Sequence, residues 1–313
     1  MKAQFRFQPL SFSWVALHPN PKGVVQFIGG AFFGSFPTFF YRYFLRKLFE
    51  EGYTIVALPF RFSFRHWPIA ISLLREQTVL RREIAAIAQN LGYQYEVYQD
   101  KTNCFWVCHS LGCKYLALLE VLDDLKVVEE CVADNGSQYQ RIADSIQDIP
   151  LDERSIKGQP SLLIAPDISD TESAIPQPLA FLAHFLDKVG LGVLPTRKQT
   201  QCFVERSRLF NLTALISFDK DTIAGSENDI KKSPKEREKS DFVWAIAQLK
   251  ARKFPILQEE LPGKHLEPIG IQIGDYVLDL NPLDKFIDPI KYRFLETVAI
   301  QFLEELKRRE EIL

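Results

Sequence analysis

The sequence predicts an α/β chain: a mostly parallel central sheet flanked by helices, with a cap insertion. Three observations carry this. Short apolar runs of strand length alternate with longer stretches of helical periodicity through the first part of the chain. The runs Val24 to Ile28 and Tyr53 to Leu58 are apolar throughout, as strands buried on both faces are. A serine, Ser110, stands where a third strand gives way to a helix. Such alternation implies parallel strands covered by helices on both sides, with ligands bound at the carboxyl ends of the strands.

The elements follow in order. Ser11 to Leu17 alternates and predicts a strand. His18 to Gly23 is a turn by its Pro and Asn content. Val24 to Ile28 is a buried strand, ended by Gly29-Gly30. Phe39 to Glu51 carries aromatic and Leu residues at helical spacing, with Gly52 placed as a C-terminal cap. Tyr53 to Leu58 is the next strand, stopped by Pro59. Ile69 to Asn90 predicts a long helix, Asn103 to Val107 a strand and Lys114 to Val121 a helix. Asp123 to Gly158 is polar and charged. Ser161 to Ala165, Thr213 to Phe218 and Phe254 to Leu257 predict further core strands. Residues 166–200, with scattered prolines and one helical pattern from Pro178 to Val189, read as a cap over the sheet within a single domain spanning 1–313. Gly225 to Asp241 is dense in Lys and Glu and predicts an exposed loop. Ile290 to Arg309 is an amphipathic helix with a basic end that suits its C-terminus.

Composition narrows the function classes. The chain has 313 residues, 46% hydrophobic and 25% charged, which suits a soluble globular protein. A net charge of −2 argues against a nucleic-acid partner. Five cysteines without a CxxC pair suggest neither a disulfide framework nor a zinc site. Cys104, Cys108 and Cys113 read as small buried hydrophobes in a reducing compartment. The N-terminus shows no unbroken apolar run of the secretory kind. The most hydrophobic stretch, Val24 to Phe40, is too short and too broken by Gly and Pro for a membrane span.

The chemistry centres on Val107-Cys108-His109-Ser110-Leu111-Gly112. In a G-x-S-x-G turn the serine occupies a sharp, strained bend, and the flanking positions must be small for strand and helix to approach. Gly112 meets that requirement; Cys108 departs from it but is small. A serine hydroxyl needs a base, and in this arrangement the order is Ser, then acid, then His. His18 and His66 come too early, His109 adjoins the serine and points elsewhere, and His184 lies in the cap. His265, in Gly263-Lys264-His265 after the last core strand, is the candidate base. Asp221, after the strand Thr213 to Phe218, is the preferred acid, with Asp219 and Asp167 as alternatives. An oxyanion would take backbone N–H groups from Leu111 and from Gly30 or Ala31. No G-K-[ST] follows Gly29-Gly30, so this is not a phosphate loop.

Together, Gly29-Gly30, the Cys108 to Gly112 turn, Asp221 and the Gly263-Lys264-His265 turn resemble the α/β-hydrolase superfamily over nearly the whole chain. More narrowly, Phe27-Ile28-Gly29-Gly30-Ala31-Phe32-Phe33-Gly34 and Ile164-Ala165-Pro166-Asp167-Ile168-Ser169-Asp170 resemble a domain-of-unknown-function family of cyanobacteria and plant plastids. The resemblance implies a hydrolase fold and a soluble, cytoplasmic or stromal protein. Two readings follow. One is a serine hydrolase of esterase, lipase or thioesterase type, taking a small-molecule acyl substrate through an acyl-Ser110 intermediate, with no metal or organic cofactor. Transfer to an alcohol or thiol acceptor would use the same residues. The other is a hydrolase-fold scaffold or binding protein without chemistry. Phe32, Phe33, Phe36, Phe39 and Phe40, just after the oxyanion loop, are either helix core or a hint of an apolar substrate.

Overall fold

The computed structural model describes residues 3–133, 136–168, 192–207, 213–252, 255–279 and 287–310. Its central sheet is built from β1 (Gln8–Leu10), β2 (Ser13–Ala16), β3 (Gly23–Ile28), β4 (Tyr53–Ala57), β5 (Cys104–His109), β6 (Ser161–Ile164), β7 (Thr213–Phe218) and β8 (Leu257–Leu261). The spatial order is β1-β2-β4-β3-β5-β6-β7-β8. The strands from β4 to β8 in that order run parallel, and β1 and β2 are antiparallel at one edge.

The apolar runs become the central strands because both faces are covered. All residues of β3, β5 and β7 are buried. Side chains alternate between two layers: Trp106 and Cys108 face one, Phe105 and Val107 the other. The first layer packs against α2 (His66–Asn90), α3 (Leu111–Val121), α6 (Arg197–Arg206) and α7 (Asp241–Lys250). The second packs against α1 (Arg42–Glu50) and α8 (Leu295–Glu310). Each fully buried Leu, Ile or Phe contributes about 1.5–3 kcal/mol, so these two layers dominate the stability.

Several expectations change in detail. The strand expected over Ser11 to Leu17 is a hairpin whose turn lies at Ser11 and Phe12, with Ser11 at φ 53°. Glu76 of α2 holds that turn by accepting from Ser11 Oγ, Phe12 N and Ser13 Oγ. The helix expected from Phe39 is two pieces, Pro37–Phe40 and α1, separated at Tyr41. The strand before Ser110 runs on to His109, and α3 starts at once after the serine. The polar stretch Asp123 to Gly158 contains α4 (Leu125–Cys131) and α5 (Gly136–Ile146). The last strand is Leu257–Leu261 rather than Phe254 to Leu257; Phe254 lies outside the described residues. Ile271–Ile273, Tyr276–Leu278 and Ile287–Pro289 form an unexpected small antiparallel sheet. Cys131 and Cys202 form a disulfide between α4 and α6, against the expectation of none, while Cys104, Cys108 and Cys113 are free and buried as expected. Most of the cap, including His184 and Pro178 to Val189, lies outside the described residues.

Among the described residues, no helix is long and apolar enough to cross a membrane.

Candidate active site

Four strands deliver the site. β3 ends just before Gly29-Gly30, β5 just before Ser110, β7 before Asp221 and β8 before His265. All four loops leave the carboxyl edge of the parallel sheet, where such folds bind ligands.

Ser110 has φ 54° and ψ −123°, a conformation that costs an L-residue of order 1–3 kcal/mol. Close approach of strand and helix enforces it. A Cβ on Gly112 would lie 2.4 Å from the Ile28 carbonyl oxygen, so only glycine fits there. Cys108, where the motif has a second small residue, is fully buried in the core layer beneath α3. A cysteine side chain therefore satisfies the turn.

The structure brings three of the expected residues together. His265 Nε2 lies 2.8 Å from Ser110 Oγ, and His265 Nδ1 lies 2.8 Å from Asp221 Oδ2. A carboxylate accepts, so Nδ1 carries the ring proton and Nε2 accepts from the serine hydroxyl. The other Asp221 oxygen takes the N–H groups of Ile223 and Ala224 at 2.8 and 3.0 Å, which fixes the carboxylate. All three residues are buried.

The alternative acids sit elsewhere. Asp219 Oδ1 accepts from the Gly263 N–H at 2.9 Å and so braces the turn that carries His265. Asp167 lines the cavity beside Ser110, and its own N–H donates to the Ser110 carbonyl at 3.3 Å. Asp221 is the carboxylate on the imidazole.

The expected oxyanion donors divide. Leu111 is the first residue of α3, so its N–H has no acceptor within the helix. The Ala31 N–H has no acceptor among the described residues. The Gly30 N–H is already committed to the Tyr41 hydroxyl at 2.7 Å, which removes Gly30 from the pair of candidates. Gly30 matters sterically instead: a Cβ there would lie 3.0 Å from Ser110 Cβ.

A cavity of about 210 Å³ opens on Ser110 and His265. Its wall is mostly apolar, with Phe32, Phe33, Phe62, Phe64, Ile223 and Leu266. Phe32 and Phe62 stack with ring centroids 4.4 Å apart. Of the other phenylalanines, Phe36 and Phe39 are exposed and Phe40 packs against the core. His66 also lines this cavity, and burial holds its pKa well below the usual histidine value. A larger cavity of about 580 Å³ lies at Trp67, between α2 and α5, and Ser110, Asp221 and His265 do not line it. Its Arg75 is engaged by Asp148 and Arg141 by the Ser137 carbonyl. His18 sits on the surface, bonded to Asn20.

Sequence reasoning set His109 aside and did not single out Tyr41, whose hydroxyl lies 2.9 Å from His109 Nδ1. His109 occupies a strand position buried on both faces, and a polar side chain there has to find partners. Tyr41 gave no comparable signal, since its role depends on a break in a helical pattern. Among the described residues, no cluster of His, Cys, Asp or Glu is arranged to hold a metal ion.

Comparison with known proteins agrees with the architecture. Residues 6–143 match the family described as "Protein of unknown function (DUF1350)". No curated protein matches the chain. The crystal structure of esterase B from Lactobacillus rhamnosis (HN001) is similar, with a TM-score of 0.53 and 13% identity over 95% of this chain and 82% of that one. The tributyrin phosphonate complex of esterase B from Lactobacillus rhamnosis gives a TM-score of 0.52 and 13% identity, over 93% of this chain and 78% of that one. At such identities the likeness is one of fold, and the fold is that of the α/β-hydrolases.

Proposed function

We propose that this α/β-hydrolase-fold chain is a serine hydrolase that cleaves an ester, thioester or similar acyl substrate through an acyl-Ser110 intermediate. The observation that carries the reading is the continuous chain Ser110 Oγ, His265 Nε2, His265 Nδ1 and Asp221, with 2.8 Å at each hydrogen bond. His265 takes the proton of Ser110 Oγ as the oxygen attacks the acyl carbonyl. The carbonyl oxygen becomes an oxyanion, held by the N–H groups of Leu111 and Ala31. Asp221 fixes the tautomer and stabilises the imidazolium. His265 then passes its proton to the leaving alcohol or thiol. Water repeats the cycle and frees the acid and Ser110.

The aromatic wall of the cavity supports an uncharged, apolar acyl group. Asp167 and Val193, which lie within the expected cap of residues 166–200, also line the cavity, and this supports a cap over the site. The fold neighbour named an esterase and captured with a phosphonate supports the same class of reaction. An inactive scaffold has no need of a serine held at positive φ within reach of a paired histidine. A cytoplasmic or stroma-like location belongs to the reading, although the Cys131–Cys202 disulfide fits a strongly reducing compartment poorly.

The test is hydrolysis of p-nitrophenyl esters of graded acyl length by wild type and Ser110→Ala. Turnover of at least one ester that disappears in the variant supports the reading. Equal turnover by both proteins overturns it.

A further inference from the structure

His109 is fully buried at the end of β5, next to Ser110, and both of its ring nitrogens are engaged. Nδ1 lies 2.9 Å from the Tyr41 hydroxyl, and Nε2 lies 2.8 Å from the backbone carbonyl of His265. The Tyr41 oxygen also receives the Gly30 N–H at 2.7 Å.

The direction of every bond is forced. A carbonyl only accepts, so His109 Nε2 carries the ring proton and donates to His265. In the neutral ring Nδ1 is then the acceptor, and the Tyr41 O–H must donate to it. The Tyr41 lone pair takes the Gly30 N–H. One chain of bonds therefore runs from the oxyanion loop, behind the serine, to the loop of the base. The parts are tightly pressed: a Cβ on Gly30 would lie 3.0 Å from Ser110 Cβ and 3.1 Å from His109 Nδ1. With its neighbour's N–H fixed on Tyr41, the Ala31 N–H is the donor of that loop left for substrate.

We propose that Tyr41 and His109 are positioning residues that hold the Ala31 N–H and the His265 imidazole in register across Ser110. The proposal rests on the serine hydrolase reading. Both side chains are fully buried, and the hydrogen bond to Ser110 Oγ comes from His265, so the role of the pair is to position. Burial pushes the His109 imidazole down to about 3 and the Tyr41 phenol up, so the link stays neutral at any working pH. Misplacement of catalytic groups by an ångström can cost about a hundredfold in rate.

The test is the kinetics of phosphonylation by a fluorophosphonate, per folded molecule, for wild type, Tyr41→Phe and His109→Gln. The phosphonyl oxygen needs the same oxyanion donors as an acyl substrate. Tyr41→Phe keeps the ring that packs against Phe27 and removes the hydroxyl. Its maximal labelling rate is expected to fall about tenfold to a hundredfold, with the half-saturating probe concentration unchanged. His109→Gln retains an N–H for the His265 carbonyl and should fall between Tyr41→Phe and wild type. The rates should fall by the same factor across pH, because neither substitution removes a group from the Ser110–His265–Asp221 hydrogen bonds. Wild-type rates in both folded variants overturn the proposal and leave the hydrolase reading standing. If Tyr41→Phe does not fold, His109→Gln decides. If neither folds, the link is structural and the proposal fails. Absence of labelling in wild type sinks the hydrolase reading itself, and the proposal with it.

Discussion

Asp221 Oδ2 lies 2.8 Å from His265 Nδ1, although 44 residues separate the two in sequence. The second oxygen of Asp221 is tied to two backbone N–H groups, so the carboxylate is fixed on the ring. Asp221→Asn should therefore lower kcat for ester hydrolysis by about 10⁴-fold, because the amide favours the wrong tautomer. Asp167→Asn should leave most of the activity. Asp219→Asn should act mainly on stability, through the Gly263 N–H that it braces. Steady-state kinetics of the three variants check this order. The largest loss at Asp219 or Asp167 would contradict it.

Ser110 and Gly112 make opposite predictions for stability. Gly112→Ala drives a Cβ to 2.4 Å from the Ile28 carbonyl oxygen, and backbone cannot swing aside as a side chain can. The loss should reach about 3 kcal/mol or more. Ser110→Gly relieves the strain at φ 54° and should gain about 1 kcal/mol while abolishing activity. Ser110→Ala keeps the strain and should gain little. Urea unfolding of the three variants provides the comparison.

Glu267 governs a pH effect. Burial raises its carboxyl from 4.5 to about 7, against the partial help of Arg293, whose Nη1 is 3.9 Å away. Between those two values the unfolded carboxyl has lost its proton while the folded one keeps it. The unfolded state then binds fewer protons, and stability falls as pH rises through the window. The urea midpoint of wild type should drop between pH 5 and pH 8 by more than that of Glu267→Gln. An equal change in both proteins would refute the assignment.

The stacked pair Phe32 and Phe62 bounds the cavity. Phe62→Ala should lengthen it and shift the ratio of kcat/KM toward longer acyl chains by about tenfold, the scale of one or two methylenes. A series of p-nitrophenyl esters measures this. An unchanged chain-length profile would place the acyl group elsewhere.

Much of this was legible in the sequence, for physical reasons. Val24 to Ile28 and Thr213 to Phe218 are strands because apolar runs of that length can only be buried on both faces. That Ser110, Asp221 and His265 would meet was readable because each follows a core strand of the parallel sheet. Gly30 was readable as a candidate N–H donor but not as a spent one, because the partner of its N–H is Tyr41, supplied by a break in the α1 pattern. The hairpin turn at Ser11 was hidden because no Gly or Asn marks it; Glu76, far along the chain, holds it instead. The Cys131–Cys202 pairing was equally invisible, since it depends on how α4 meets α6.

The most direct test of the central claim is labelling of the purified protein by a fluorophosphonate, read by intact mass, with Ser110→Ala and His265→Ala alongside. One adduct is expected on wild type, mapped to Ser110, and none on either variant. A folded wild type that takes no adduct, or an adduct that persists in Ser110→Ala, would contradict it.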